Sequence, residues 1–146
     1  MINQLFLFAH VADTAIAIPT DELEAVVHLG EIIPVARTAS FVRGLAALRS
    51  RVLTVIDARA RITGDLFALG TAPLAIVAEI EGHNYALLID DVSDICAVED
   101  GIVPLRGRVS DAWAPFARGM VLHDGTTHLA LSIQDLIGLH PISAAA

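Results

Sequence analysis

A hairpin pattern that occurs twice, each time beginning with F-x-R-G, constrains this chain more than any other feature of its sequence. Phe41–Ile62 reads FVRGLAALRSRVLTVIDARARI, and Phe116–Ile137 reads FARGMVLHDGTTHLALSIQDLI. Both stretches have the motif, an apolar run, a polar turn and a second apolar run, which is typical of two strands joined by a tight turn. A chain that uses one hairpin twice is expected to consist of two related halves.

A second pair of hairpins supports the two-half organisation. Phe6–Val26 (FLFAHVADTAIAIPTDELEAV) resembles Ile76–Ile95 (IVAEIEGHNYALLIDDVSDI) in its strands, its polar turn and the acidic residues near its end. We call these the A hairpins and the F-x-R-G stretches the B hairpins, so that the order along the chain is A, B, A, B. A half of about seventy residues rarely folds stably by itself, which favours one shared domain.

The pattern predicts about ten short strands, little helix and no regular alternation of strand and helix, which indicates an all-β fold of small barrels or a sandwich. Apolar residues make up 55% of the chain, which is ample for a core and leaves apolar surface for partners. We predict a single domain at 1–146, halves at about 1–70 and 71–140, and a flexible tail at 141–146.

Composition also limits the location and the partners. No apolar run is long enough to cross a bilayer, the N-terminus lacks the basic region of a signal peptide, and a single cysteine allows no disulfide within the chain. We therefore expect a cytoplasmic protein without membrane insertion. The net charge of −8 disfavours nucleic-acid binding.

Arginine is concentrated in one segment. All nine basic residues are arginines, and six of them lie in or just before the first B hairpin: Arg37, Arg43, Arg49, Arg51, Arg59 and Arg61. Because the planar guanidinium pairs well with carboxylates, this segment suits a protein interface, although ordinary surface ion pairs explain any single arginine as well.

Motifs for catalysis are absent from the sequence. It contains no G-x-S-x-G elbow, no glycine-rich phosphate loop and no H-E-x-x-H pair. His123 and His128 flank a predicted turn and could face each other, but no third metal ligand is evident, and we expect exposed histidines there. Cys96 is expected to be a small buried apolar residue. We predict no enzyme, no catalytic or metal-binding residue and no cofactor.

Four segments together resemble the CheW-like domain, in a somewhat divergent form. They are the opening strands FLFAHVADTAIAIPTDELEAVV, the segment FVRGLAALRSRVLTVIDAR, the stretch LLIDDVSDI and the closing GMVLHDGTTHLALSIQDLI. The resemblance implies two intertwined five-stranded SH3-like β-barrels with an apolar interface between them. It also implies a non-catalytic adaptor that couples the cytoplasmic tip of a methyl-accepting chemoreceptor to the regulatory domain of a CheA-type histidine kinase.

The resemblance further implies which residues bind partners. Arg49 matches the arginine of the family's N-L-R-G motif, for which the family implies receptor coupling. Asp57 matches the aspartate of D-L-R, where it could pair with Arg59 or cap backbone amides. The full set of expected partner-binding residues is Leu23, Glu24, Val26, Arg43, Gly44, Arg49, Asp57, Arg59, Asp90, Val92 and Ile95.

The chain departs from the family pattern at several motif positions, namely Ala25 for glutamate, Ala47 for asparagine, Ser50 for glycine, Thr54 for proline and Ala58 for leucine. Ser50 would make a turn that needs a positive φ less favourable. One alternative is therefore a divergent paralogue that serves as a β-barrel interaction or small-ligand-binding module outside the receptor array. A metal-binding barrel, an enzyme of unrecognised chemistry and an RNA-binding SH3-like barrel are the other hypotheses.

Overall fold

Short apolar and alternating runs, separated by tight turns, make β-strand the main regular element of the described residues. The computed structural model describes residues 4–36 and 38–137, so that Arg37 and the predicted tail at 141–146 lie outside the described residues. The strands are β1 (Gln4–Val11), β2 (Thr14–Pro19), β3 (Ala25–His28), β4 (Val42–Leu48), β5 (Arg51–Asp57), β6 (Leu74–Ile80), β7 (His83–Leu88), β8 (Asp91–Val98), β9 (Ala117–His123) and β10 (Thr126–Leu131). A 3₁₀ turn (Thr20–Glu22) and the helices α1 (Ala58–Thr63) and α2 (Ile133–Ile137) complete the described elements. The all-β prediction is confirmed.

The described residues form two compact units. We call them the continuous unit, Leu23–Ile89, and the split unit, residues 4–22 and 90–137. The sheet of the continuous unit has the strand order β3-β6-β7-β5-β4, and the sheet of the split unit has the order β8-β1-β2-β10-β9. Neighbouring strands are antiparallel except for β5 with β7 and β2 with β10, which are parallel.

The two sheets have the same layout, and each combines strands from both halves of the sequence. The A hairpin β1–β2 lies beside β10–β9 of the later B hairpin, and the A hairpin β6–β7 lies beside β5–β4 of the earlier one. The compact units therefore do not coincide with the sequence halves at about 1–70 and 71–140, because each half contributes its A hairpin to the sheet that contains the other half's B hairpin. That the two halves are true repeats remains a prediction.

Each sheet is open, and a single bridge joins its two edges. Ile33, after β3, pairs with Leu45 on β4, and Val103, after β8, pairs with Met120 on β9. The glycines of the two F-x-R-G motifs lie at these crossings. A Cβ atom on Gly44 would fall 2.1 Å from the carbonyl oxygen of Ile33, so no side chain is tolerated there without a shift of the backbone. The expected barrels are thus sheets that are not closed by a continuous ladder.

Each unit has its own apolar core. That of the split unit is built from Phe6, Phe8, Ala17, Val98, Val121 and Ala130. That of the continuous unit is built from Leu29, Ala46, Leu53, Val55, Ala75, Val77, Ala86 and Leu88, with Phe67 and Leu69 of the loop after α1 packed against it. Among the helices of the described part of the chain, none is both long and apolar enough to cross a membrane.

Candidate interaction surface

The Arg43–Asp57 ion pair organises the first B hairpin. The Asp57 side chain is 0% exposed, and it accepts hydrogen bonds from Arg43 Nη1 at 2.7 Å, from the Phe67 amide at 2.9 Å and from the Ala60 amide at 3.0 Å. The last of these bonds makes Asp57 the N-cap of α1. Arg43 also donates to the Phe67 carbonyl at 2.8 Å, so the pair joins β4, α1 and the loop after it.

Two of the predicted partner-binding residues are buried in the interior. Of the two roles expected for Asp57, it caps backbone amides. Its ion-pair partner is Arg43 rather than Arg59. Gly44 is buried at the crossing with Ile33. Because neither Asp57 nor Gly44 is accessible, these two residues shape the surface and do not form it. Arg59 is half-buried on α1.

Arg49 lies at the exposed tip of the same hairpin. Leu48 pairs with Arg51, which leaves Arg49 and Ser50 as the two turn residues. Arg49 adopts a positive φ of 57°, whereas Ser50 does not have a positive φ. The strained backbone conformation therefore lies one residue earlier in the turn than the sequence indicated. Among the described residues Arg49 has no ion-pair partner, so its guanidinium is available for contact.

Exposed apolar side chains lie on one side of β4 and β5. Ile33 pairs with Leu45, and Ala47 pairs with Val52, so directly opposed residues share a face of the sheet. Val52 is 61% exposed and Ile33 is 59% exposed. We call Ile33, Leu45, Ala47 and Val52 the hairpin face. An exposed apolar group of this kind, next to an arginine, is typical of interaction sites.

Three of the expected partner-binding residues, Leu23, Glu24 and Val26, lie on β3 or just before it. Glu24 is exposed and accepts a hydrogen bond from Arg51 Nη1 at 2.9 Å, and the same nitrogen donates to the Asn84 side chain at 3.2 Å. Leu23 and Val26 are half-buried. Arg51, which the sequence did not single out as a site residue, therefore links the Glu24 segment to the first B hairpin.

Asp90, Val92 and Ile95 lie at the beginning of β8 and along it, in the split unit. The Asp90 amide donates to the His10 carbonyl at 2.9 Å, and Val92 is half-buried opposite Ala9. Ile95 is 53% exposed. Because β8 is an edge strand, its outer side chains and backbone are accessible to another chain.

A cluster of possible metal ligands joins the two edge strands of the split unit. Cys96 Sγ lies 3.3 Å from His123 Nε2, which in turn lies 3.3 Å from Asp94 Oδ2. The hydrogen bond with His123 lowers the pKa of the Asp94 carboxyl, and burial, followed by the negative charge of Asp94, raises the pKa of the Cys96 thiol.

Two expectations for this region are corrected. Cys96 is half-buried and contacts His123, so it is more than a small apolar filler. His128 is only 5% exposed, because it lies on β10 beside Phe8, and burial lowers its pKa. His123 and His128 lie near each other as the sequence indicated, with ring centroids 6.3 Å apart, and His123 also contacts Cys96 and Asp94. The signal that could have found this cluster is the i, i+2 spacing of Asp94 and Cys96 on one strand.

Comparison with known proteins agrees with this geometry. The family model described as "CheW-like domain" matches residues 5–139. The chain belongs to the CheW-like domain family. A chemotaxis protein CheW of Thermotoga maritima is 28% identical to this CheW-like chain over 127 residues, which cover 87% of the chain and 83% of that protein.

Further relatives support the same assignment. A chemotaxis protein CheW of Rhizobium meliloti is 33% identical over 93 residues, covering 63% of this CheW-like chain and 60% of that protein. The crystal structure of the scaffolding protein TtCheW from Thermoanaerobacter tengcongensis superposes with a TM-score of 0.80 at 18% identity, and covers 95% of each chain. At that identity the structural likeness establishes the fold alone.

Proposed function

We propose that this chain is a non-catalytic chemotaxis adaptor that couples chemoreceptors to a CheA-type histidine kinase in the cytoplasm. The observation that carries the proposal is the CheW-like match across residues 5–139, together with relatives named as chemotaxis protein CheW. The exposed apolar side chains of both units, among them Val52 and Ile95, are consistent with this role.

In this proposal the hairpin face and Arg49 bind the cytoplasmic tip of a receptor. The apolar side chains of Leu45 and Val52 would cover an apolar stripe on a receptor helix, and the Arg49 guanidinium would pair with an acidic side chain beside that stripe. The Arg51–Glu24 ion pair would hold the neighbouring segment in position. Few residues carry most of the energy of such interfaces, and arginine is frequent among them.

The regulatory domain of the kinase is the second proposed partner, and we assign it to the surface around Val92 and Ile95 on β8. Exposed apolar residues on an edge strand allow both side-chain packing and strand pairing with another β-rich domain. This assignment makes the two partner sites separable by mutation, because Arg49 belongs to the continuous unit and Ile95 to the split unit.

Replacing Arg49 by Ala should weaken coupling to receptors and leave kinase binding unchanged. We expect receptor binding to weaken at least about tenfold, because an interfacial arginine is lost, while calorimetric affinity for the kinase regulatory domain stays within about twofold. Receptor binding and receptor-dependent kinase activation would be measured with the full chain and receptors in membranes. Arg106→Ala, which removes an exposed arginine of the split unit, is the matched control.

Two results would contradict the proposal. If the wild-type chain bound neither kinase nor receptor, the adaptor role would be wrong, and a role outside the array would replace it. If Arg49→Ala and Arg106→Ala behaved alike while the wild type bound both partners, the adaptor role would stand and the position of the receptor site would be wrong.

A further inference from the structure

The Asp94–Cys96–His123 cluster combines three features of a transition-metal site. Its donor atoms are a sulfur, an imidazole nitrogen and a carboxylate oxygen, all within 4.8 Å of one another. Tetrahedral zinc, with bonds of about 2.3 Å to sulfur and about 2.0–2.1 Å to nitrogen or oxygen, separates S from N by roughly 3.6 Å and N from O by roughly 3.3 Å. The observed separations, Sγ to Nε2 and Nε2 to Oδ2, are both 3.3 Å. Two of the three donor separations are therefore close to those around a single tetrahedral ion, and the third pair, Cys96 Sγ and an Asp94 carboxylate oxygen, lies within 4.8 Å.

Rigid elements hold the three donors in place. Asp94 and Cys96 lie two residues apart on β8, so both side chains point to the same side of the sheet, and their partners on β1 are Phe8 and Phe6. The His123 ring stacks on Phe8 with a centroid distance of 4.4 Å and an interplanar angle of 13°. Donors on paired strands, with a ring fixed by stacking, lose little freedom when an ion binds.

His128 gives an independent indication that this region accommodates a polar ligand. A cavity of about 280 Å³ is lined by Asp94, His123 and His128 among others. The His128 side chain is 5% exposed, and its Nδ1 atom has no hydrogen-bond partner among the described residues. A buried imidazole nitrogen that is left unpaired beside a polar cavity requires a water molecule or a ligand to satisfy it.

From this geometry we propose that Asp94, Cys96 and His123 bind one Zn²⁺ ion. Zinc commonly accepts thiolate, imidazole and carboxylate ligands in one site, whereas Mg²⁺ and Ca²⁺ require shells of oxygen. Three protein ligands leave a fourth coordination position for water, and the cavity beside His128 provides the space for it. When the Zn–S bond forms, the Cys96 thiol gives its proton to solvent. Bound zinc would join the two edge strands of the split unit, and this inference does not depend on the adaptor role.

Cobalt(II) titration of the untagged chain tests the site. The chain would first be stripped of metal by a chelator and kept reduced. Cobalt bound by a thiolate in a four-coordinate site gives a sulfur-to-metal charge-transfer band and intense d–d bands, and one equivalent of Zn²⁺ should abolish them. Loss of a residue that only hydrogen-bonds to a metal ligand costs roughly 10–100-fold in metal affinity. Loss of a direct ligand should therefore cost at least about 100-fold.

Two variants and one control make the test specific. Cys96→Ala removes the sulfur, and His123→Phe removes the nitrogen while keeping a ring that can stack on Phe8. His83→Ala removes an exposed histidine of the continuous unit and should bind cobalt as the wild type does. Circular dichroism would verify that every variant is folded.

The proposal is supported if the wild type and His83→Ala bind one equivalent with a charge-transfer band that both site variants lose. It is overturned if the reduced wild type binds no cobalt or zinc, or if binding persists unchanged in folded Cys96→Ala and His123→Phe.

Discussion

Asp57 is a fully buried carboxylate that accepts three hydrogen bonds from the protein in place of those from water. A buried charge is tolerated when it is paired and hydrogen-bonded, and Asp57 has one guanidinium and two backbone amides as donors. The Phe-x-Arg-Gly motif thereby has a structural explanation in this chain. Its arginine neutralises Asp57, and its glycine permits the crossing at Ile33.

Asp57→Ala should lower the free energy of unfolding by about 3–5 kcal/mol, because it leaves the Arg43 charge half-buried without a partner and removes the cap of α1. Asp57→Asn should cost less, since an amide oxygen can still accept from a backbone amide. Urea denaturation would measure both changes. Asp65→Ala, in the exposed loop after α1, is the control and should change stability by less than about 0.5 kcal/mol. A loss below about 1 kcal/mol in Asp57→Ala would show that the ion pair contributes little.

Residue types alone indicated some of these contacts and missed others. A role for Asp57 as a cap was predictable, because an aspartate at the end of a strand is a common start of a helix. Its pairing with Arg43, across the hairpin, depends on register and on the bulge between Val42 and Gly44, which no local pattern specifies. The approach of His123 to Cys96, 27 residues away in the sequence, likewise depends on how the strands assemble, and only the spacing of Asp94 and Cys96 indicated a cluster there.

The four two-residue hairpin turns show how local backbone geometry differs among similar elements. In the turns Ala12–Asp13, Glu81–Gly82 and Asp124–Gly125, both residues have a positive φ, as tight turns that match strand twist require. In the Arg49–Ser50 turn only Arg49 has a positive φ. A large side chain in this conformation at an exposed tip is a local strain that a functional role can justify.

Restoring the family's glycine at position 50 should therefore fail to stabilise the protein. Arg49→Gly should raise stability by roughly 0.5–1 kcal/mol, because it relieves a left-handed conformation, whereas Ser50→Gly should lower it by roughly 0.5–1 kcal/mol through added backbone freedom. Thermal unfolding followed by circular dichroism would measure both variants. The opposite order of the two melting temperatures would mean that the strain lies at Ser50.

Strands were the elements that the sequence predicted best. Alternation and apolar runs identified them, since burial of one or both faces leaves a clear periodic signal. Helix α1 was not identified as an element, because its six residues are too few to show a helical period and its buried members Ala58, Ala60 and Ile62 continue the apolar pattern of β5.

At the scale of the whole molecule, the two units differ in the sequence separation of the residues that are hydrogen-bonded to each other within each unit. In the split unit Ser93 donates to the Phe8 carbonyl across 85 residues, whereas in the continuous unit the His28 ring bonds to the Ala72 carbonyl across 44. Each doubling of the loop that must close costs roughly 0.6 kcal/mol. Topology therefore favours formation of the continuous unit first.

Pulse-labelling hydrogen exchange during refolding should detect this order. We expect the amides of β5, β6 and β7 to gain protection roughly threefold sooner than those of β1 and β2, which corresponds to the difference in closure cost. Strands β9 and β10, whose hairpin is local, serve as an internal comparison within the split unit. Simultaneous protection of all strands would indicate that the two units fold as one cooperative step.

The residue patterns alone did not predict which hairpins become neighbours, although the resemblance implied intertwined barrels. The repeat identified the A and B hairpins, but an A hairpin buries the same apolar side chains whether its neighbour comes from its own half or from the other. The assembled sheets, with β2 beside β10 and β7 beside β5, show which hairpins the halves exchange.

If the two halves are repeats, as the sequence predicts, a chain with one half would be unable to make this exchange alone. In such a chain the A hairpin would lack the B hairpin beside which it lies here. Two copies could complete both sheets as a domain-swapped dimer in which each A hairpin pairs with the B hairpin of the other copy. Fusing the two copies into one gene would make this hairpin exchange intramolecular and independent of protein concentration. Afterwards the copies could diverge, one keeping Arg43 on a buried aspartate and the other leaving Arg118 with Asp135 at the surface.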